Sequence, residues 1–444
     1  MAHPPPGSSG PAPFPRRPID RLLTPWRRFL HVEAASGILL LVVTAAALIL
    51  ANTGLAEHYF AFIEQRVVVG VGEAKLDYPL WYWVNDGLMT LFFFVVGLEI
   101  KRELINGELA DKKKAMLPVV AAIGGAILPA AVFTAVIGGG EGGDGWGIPM
   151  ATDIAFVVGA MALLGDRVPH GLKVFVLSAA IADDLLAVLV IAIFYSHGLA
   201  VGWLLAAAVG FVAVWFMKRA GVRSIGAYVL VGAAIWLFTL KSGIHPTIAG
   251  VILGLMTPAG AWLGREAAKV VAHGADALAA PEEVADQRAA LADANRAALE
   301  ARPPLERIET ALHPWVAFLI MPIFAFVNAG VALGGTAEAS AIPLAIVLGL
   351  LVGKPIGIVL FAYLAVRLAG ALLPERVSWP MLASTGLLAG VGFTMSLFIA
   401  SLGLEGAQLT SAKMGILMGS GIALVLGLLA LLVTTRKGAK ADAT

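Results

Sequence analysis

The sequence predicts an all-α polytopic membrane protein with twelve transmembrane helices, spans 4 and 11 discontinuous and crossing, and both termini cytoplasmic. Three observations lead there. The 444 residues are 59% hydrophobic and only 14% charged, where soluble domains run at roughly 45–50% apolar and about 25% charged. Apolar segments recur along the chain, most near the ~20 residues that cross a hydrocarbon core. The basic residues fall almost entirely on one side of the alternation those segments impose.

Composition also excludes. A net charge of +1 argues against nucleic acid or another polyanion as partner, and the lack of cysteine removes disulfides, thiol catalysis and thiolate metal sites. No cofactor motif is visible. The 50 glycines suit helices that approach closely or break within a membrane.

Residues 1–28 are expected to be a disordered, Pro-rich cytoplasmic tail, with Pro4-Pro5-Pro6 and no apolar periodicity. It lacks the short apolar core and small-residue cleavage site of a signal peptide. Arg16, Arg17, Arg21, Arg27 and Arg28 lead into a single transmembrane domain over 29–435. Its twelve segments are 33–52, 78–98, 116–137, 146–164, 171–195, 200–217, 224–240, 244–262, 314–334, 342–369, 381–401 and 411–434. With the N-terminus inside, 26 of the 31 Lys and Arg residues lie on the cytoplasmic side. Only Arg66, Lys75, Lys241 and Lys413 lie outside, and Lys354 sits within span 10. An odd number of spans would scramble that split.

Two connections are long. Externally, Gln65-Arg-Val-Val-Val-Gly-Val-Gly-Glu-Ala-Lys-Leu-Asp-Tyr78 sets two β-prone runs around glycines and predicts a hairpin over 65–78, with a plain surface loop as the alternative. The cytoplasmic loop 264–312, between spans 8 and 9, is Ala-rich and charged, broken by Pro281, Pro303 and Pro304, and predicts a solvated helix or two. Residues 436–444 form a cytoplasmic tail.

The chemistry lies inside the spans. A carboxylate at mid-bilayer costs about 2.5–3.5 kcal/mol on insertion scales, yet span 4 carries Asp153 and span 5 the pair Asp183-Asp184. In span 4, Pro149 removes a backbone donor just before Thr152 and Asp153; in span 11, Gly386, Gly390 and Gly392 interrupt the helix. Broken backbone at membrane depth is tolerable only where it lines a cavity or other protein. Residues 183 and 184 project about 100° apart, so both border one cavity but cannot aim at one point. Lys354 is their natural partner, as the only Lys or Arg deep in a span. The alternative for all four charges is purely structural pairing. Desolvation favours the protonated form of a carboxylate, and an ionised pair is a hard ligand for a small cation. Protons and cations then compete for the same oxygens, and a site open to one side at a time performs exchange.

At these residues the chain resembles the NhaA family of bacterial sodium/proton antiporters. The matching stretches are Val96-Gly-Leu-Glu-Ile-Lys-Arg-Glu-Leu104, Ala151-Thr-Asp-Ile-Ala-Phe156, Ala182-Asp-Asp184 and Leu240-Lys-Ser-Gly-Ile-His245. Further on come His313-Pro-Trp-Val316, Phe324-Ala-Phe-Val-Asn-Ala-Gly330, Gly353-Lys-Pro355 and Gly392-Phe-Thr-Met-Ser396. That family is itself a standard example of inverted repeats with discontinuous helices.

The resemblance implies that Asp184 is the main ion and proton carboxylate, and that Asp183 alternates between Na+ or Li+ and Lys354. Asp153 and Thr152 would stand where the broken helices cross, Asp153 compensating positive helix ends and Lys354 negative ones. It further implies electrogenic, pH-regulated export of sodium or lithium for a larger number of protons, an inner-membrane location, and a homodimer formed partly through hairpin 65–78. A cytoplasmic pH-sensing cluster maps onto Glu99, Arg102, Glu103, Glu309 and His313, with Thr310 where the family commonly has histidine. His245 matches a family histidine, with capping or packing as the alternative.

Two rivals remain. A cation-coupled symporter of an organic anion could use the same fold. An intramembrane aspartyl protease is disfavoured, because Asp183 follows Ala180-Ile-Ala182 rather than the Gly-x-Gly of that class, and Lys354 would be unexplained.

Overall fold

The computed structural model describes residues 33–71, 74–196, 198–222, 224–261, 266–279, 284–332 and 340–441. The tail 1–28 lies outside the described residues. Helix α1 (Glu33–Ala51) turns back into α2 (Ala56–Ile63), bent by 114°. Next come strands β1 (Arg66–Val71) and β2 (Ala74–Pro79), paired antiparallel with Arg66 opposite Pro79 and Gly70 opposite Lys75. The expected hairpin is present, held at its base by Arg66 and Asp77 at 2.8 Å.

A π turn, Trp83–Leu88, leads into α3 (Met89–Asn106), followed by α4 (Lys112–Ile137). Segment 4 begins as a 3₁₀ stretch, Gly143–Met150, and resumes as α5 (Ile154–Leu164). There follow α6 (His170–Phe194), α7 (Val201–Arg219), α8 (Ile225–Lys241) and α9 (Thr247–Met256). The long connection between segments 8 and 9 contains α10 (Glu266–Ala279) and α11 (Val284–Glu300), packed on each other. Helix α12 (Pro304–Trp315) runs through a π turn into α13 (Met321–Ala329), and α14 (Ile342–Leu348) through another into α15 (Lys354–Leu368). Segment 11 is α16 (Trp379–Ala389) and α17 (Phe393–Gly403), bent by 47°, and α18 (Gly406–Ala441) closes the chain.

Among the described residues, seven stretches are long and apolar enough to cross a membrane, or up to nine if each bent pair counts as one. The exposed surface has the same character: Val209, Leu230 and Leu368 are 68, 74 and 81% exposed. Helices α7 and α8 bury only two residues each, so they are apolar all round, which suits lipid rather than water. This is a polytopic helical membrane protein.

Several boundaries differ from expectation; segment 12 is helical over Gly406–Ala441 rather than 411–434, taking in part of the expected tail. Two others have a clear local cause. The apolar run 244–262 gives a helix only over Thr247–Met256, because Pro258 follows and Thr257 already adopts an extended backbone. The helix of segment 9 begins at Pro304 rather than 314, since proline suits a first helical turn, so the loop 264–312 ends about two and a half turns earlier.

Packing places the site. Helix α4 lies along α15 and α6, and α18 lies against α14 and α16. Helices α3 and α9 meet backbone to backbone: a side chain at Gly97 would run into the Val251 carbonyl, and one at Gly254 into the backbone of Phe94 and Gly97.

Candidate functional site

The two breaks meet. At the first, Pro149 cannot donate and the 3₁₀ stretch stops at Met150, leaving Ala151 and Asp153 extended. At the second, α16 ends at Ala389, and a side chain at Gly390 would strike the Leu350 carbonyl. The exposed backbone groups of each break are then satisfied largely by the other. The Asp153 N–H donates to Val391 O at 2.7 Å. The Thr152 hydroxyl donates to Ala389 O at 3.0 Å, and the Ser396 hydroxyl to Ile148 O at 2.7 Å. Asp153 Oδ2 accepts the Thr394 N–H at 3.1 Å and also the Thr394 hydroxyl. Thr394 lies in the first turn of α17, so this carboxylate sits on the positive end of that helix. Ser420 of α18 accepts from the neighbouring Phe393 N–H at 3.1 Å.

Lys354 opens α15, right after the π turn Gly349–Gly353, and is 1% exposed. Its ammonium donates to Asp183 Oδ2 at 2.7 Å and to the carbonyl of Met150, where the 3₁₀ stretch presents its negative end. Asp183 and Asp184 are each 4% exposed on α6. Asp184 takes part in none of these bonds. Of the two neighbours, 183 takes the lysine.

The candidates for pH sensing divide into two groups. Arg102 pairs with Glu309, and His313 Nδ1 lies 3.7 Å from Glu99 Oε1, linking α3 to α12. Glu103 belongs elsewhere. It is 9% exposed, accepts from the Glu108 N–H at 2.9 Å and from the Ser178 hydroxyl of α6 at 3.3 Å, and so faces the helix of the aspartates. The Thr310 hydroxyl bonds to its own helix at Glu306 O.

Sequence reading missed several partners. Thr394 and Ser396 were legible as hydroxyls beside a glycine break, though not as ligands of the opposite break. Asp86 is a buried acid in segment 2, whose cost alone could have flagged it. It pairs with His245 Nε2 at 3.2 Å, while His245 Nδ1 contacts the Thr247 hydroxyl at 2.7 Å.

A polytopic helical membrane protein with a buried carboxylate–ammonium pair where two broken segments meet has the build of a secondary transporter rather than an enzyme. The comparisons with known proteins agree. The sequence profile described as Na+/H+ antiporter 1 matches residues 27–431, and the chain belongs to that family. It is 47% identical over 428 residues to the "Na(+)/H(+) antiporter NhaA" of Rhodopirellula baltica, covering 96% of this chain and 97% of that protein. It is 46% identical over 425 residues to the protein of the same name from Rhizobium meliloti, covering 95% and 97%. It is also 46% identical over 426 residues to "Na(+)/H(+) antiporter NhaA 2" of Sorangium cellulosum, covering 94% and 90%.

Proposed function

We propose that this protein is an electrogenic sodium/proton antiporter of the bacterial inner membrane, with lithium as a second substrate and pH control from the cytoplasmic face. The observation that carries the reading is the Asp183–Lys354 pair beside an uncommitted Asp184, at the junction of two broken segments. In this reading twelve spans alternate across the membrane with both termini inside, and segments 4 and 11 form crossing broken helices of two inverted repeats. Asp184 holds either a proton or the cation. Asp183 leaves Lys354 to complete the cation's oxygen ligands, and returns to it when the cation departs. Each cation exported is matched by a larger number of protons entering, so transport draws on the proton gradient.

Asp153 and Thr152 hold the junction in register, and Glu99, Arg102, Glu309 and His313 form the group through which cytoplasmic pH acts. Hairpin 65–78 joins two copies into a dimer. Of the rival readings, a symporter of an organic anion would want a free cation at the site, and Lys354 is committed to Asp183.

The test is sodium-driven relief of a pH gradient in proteoliposomes, with sodium, lithium and potassium added in turn. The expected result is a response to sodium and lithium but not potassium in the wild type, and none in Asp184→Asn. Full exchange by Asp184→Asn would overturn the assignment.

A further inference from the structure

Among the described residues, one buried side-chain polar atom lacks a hydrogen-bond partner: Asp183 Oδ1. Its sister Oδ2 takes the Lys354 ammonium; Thr152 brings its N–H and hydroxyl close to the carboxylate, but neither aligns as a hydrogen bond to Oδ1, and the hydroxyl proton goes to Ala389 O. A bare carboxylate oxygen in an apolar interior forfeits solvation worth several kcal/mol, so it calls for an explanation.

Beside it lies a cavity of about 30 Å³, bordered by Asp183, Lys354, Thr152 and Thr385 and otherwise walled by apolar groups such as Ala122 and Ala180. That exceeds the roughly 10–15 Å³ one water needs. The polar borders also supply the right complement. Asp183 Oδ1 accepts. Lys354 has three N–H donors and uses two, on Asp183 Oδ2 and Met150 O. The hydroxyls of Thr152 and Thr385 each spend their proton on a backbone carbonyl, which leaves lone pairs free to accept. A water molecule has two protons and two lone pairs, and this rim offers acceptors and a donor for them.

We infer that this cavity is a resident hydration site, whose water bonds to Asp183 Oδ1 and to the spare N–H of Lys354. The inference rests on the transport reading for its consequence. When Asp183 turns from Lys354 toward the cation, the ammonium loses its anionic partner in a low-dielectric interior. A water already bonded to both groups keeps the ammonium solvated through that exchange, so the pair opens against a lower barrier. The site lies on the Asp183 side of α6, away from Asp184, and follows that helix from Asp183 back to Phe175, about 12 Å at helical rise.

Two measurements test this. The first is a density map of the wild-type protein at a resolution that shows ordered waters. It should contain a peak within hydrogen-bonding distance of Asp183 Oδ1, and an empty cavity overturns the inference whether or not the protein transports. The second fills the cavity from its apolar wall with Ala122→Val and Ala180→Val, each adding two methyl groups, with Ala122→Ser as the polar control. The Val variants should exchange sodium for protons at least about tenfold more slowly, corresponding to about 1.4 kcal/mol of barrier. Half-saturating sodium and sodium-dependent thermal stabilisation should be unchanged, and Ala122→Ser should retain the wild-type rate. Wild-type rates in both Val variants, or equal slowing by Ala122→Ser, would overturn it. A wild-type protein that shows the water but does not exchange would sink the transport reading alone.

Discussion

Replacing Lys354 by methionine isolates the electrostatic part of the central pair, because the apolar stem is kept and only the ammonium is lost. The pair is 1 and 4% exposed at its two residues, with donor and acceptor 2.7 Å apart. Removing one member of such a pair typically costs 3–5 kcal/mol, most of it the penalty for stranding the other charge. An escape sets the ceiling. The stranded Asp183 can take a proton, and for a carboxyl of ordinary pKa near 3.9 that costs about 4 kcal/mol at pH 7. Met150 O loses its donor as well, at about 1–3 kcal/mol.

For a chain of 444 residues, an unfolding entropy of about 2.1 cal/mol/K per residue turns about 5 kcal/mol into a fall of roughly 5 °C in Tm. The sign with pH follows from proton counting. Folded Lys354→Met carries a proton on Asp183 that the unfolded chain, ionised above about pH 4, does not carry. Its stability relative to wild type therefore rises as pH falls, by about 1.4 kcal/mol per unit. Thermal unfolding in detergent, followed by the fluorescence of the ten tryptophans, reads this at pH 5.5 and 7.5. Lys354→Met should melt lower at pH 7.5 and recover much of the gap at pH 5.5, and the double variant with Asp183→Asn should recover most of it at both. An unchanged Tm, or a double variant as unstable as the single one, would refute the ion-pair reasoning.

Three further outcomes are expected. Thr394→Val removes the hydroxyl that Asp153 accepts and should lower stability by about 1.5–3 kcal/mol, the range for hydrogen bonds to charged groups; Thr410→Val, whose hydroxyl bonds within its own exposed turn, serves as the comparison and should leave Tm in place. Gly97→Leu drives a side chain against the Val251 backbone and should destabilise by at least about 1–3 kcal/mol, visible as lost monodisperse protein on size exclusion, whereas the same change at Gly202, where a side chain meets open space, should be tolerated. Excising hairpin residues 66–79 and rejoining the ends should shift the detergent-corrected mass toward one copy without abolishing exchange; an unchanged mass would refute its role in dimerisation.

Much of this architecture could be read before any coordinates, for identifiable reasons. Hydropathy is a sum over about twenty residues, so segments such as 171–195 announce themselves whatever they pack against, and α6 covers His170–Phe194. The breaks were legible because Pro149, Gly390 and Gly392 act locally. Lys354 and the aspartates stood out through their cost. What sequence could not reach was partnership over long separations. Residues 183 and 184 have equal claims on a lysine 170 positions away, and only the packing of α4 between α6 and α15 decides for Asp183. Glu103 sits one residue from Arg102, yet that step on the helix carries it round to Ser178 and away from Glu309. Helix ends were misjudged where apolar composition outlasted helical backbone, as in 257–261.

The joint between the broken segments has a mechanical consequence. A backbone bond from Asp153 to Val391, side-chain bonds from Thr152 to Ala389 and from Ser396 to Ile148, and the carboxylate on Thr394 stitch the joint in both directions along the chain. To slide one segment past the other would strip several buried bonds at once, each costing on the order of 1–3 kcal/mol when left unmade. The soft places lie outside the stitch, where apolar side chains meet across helix faces and can trade neighbours without uncovering polar groups. Any rearrangement that turns the aspartates from one side to the other therefore carries the junction whole, like a knot drawn through cloth, while the fabric around it gives.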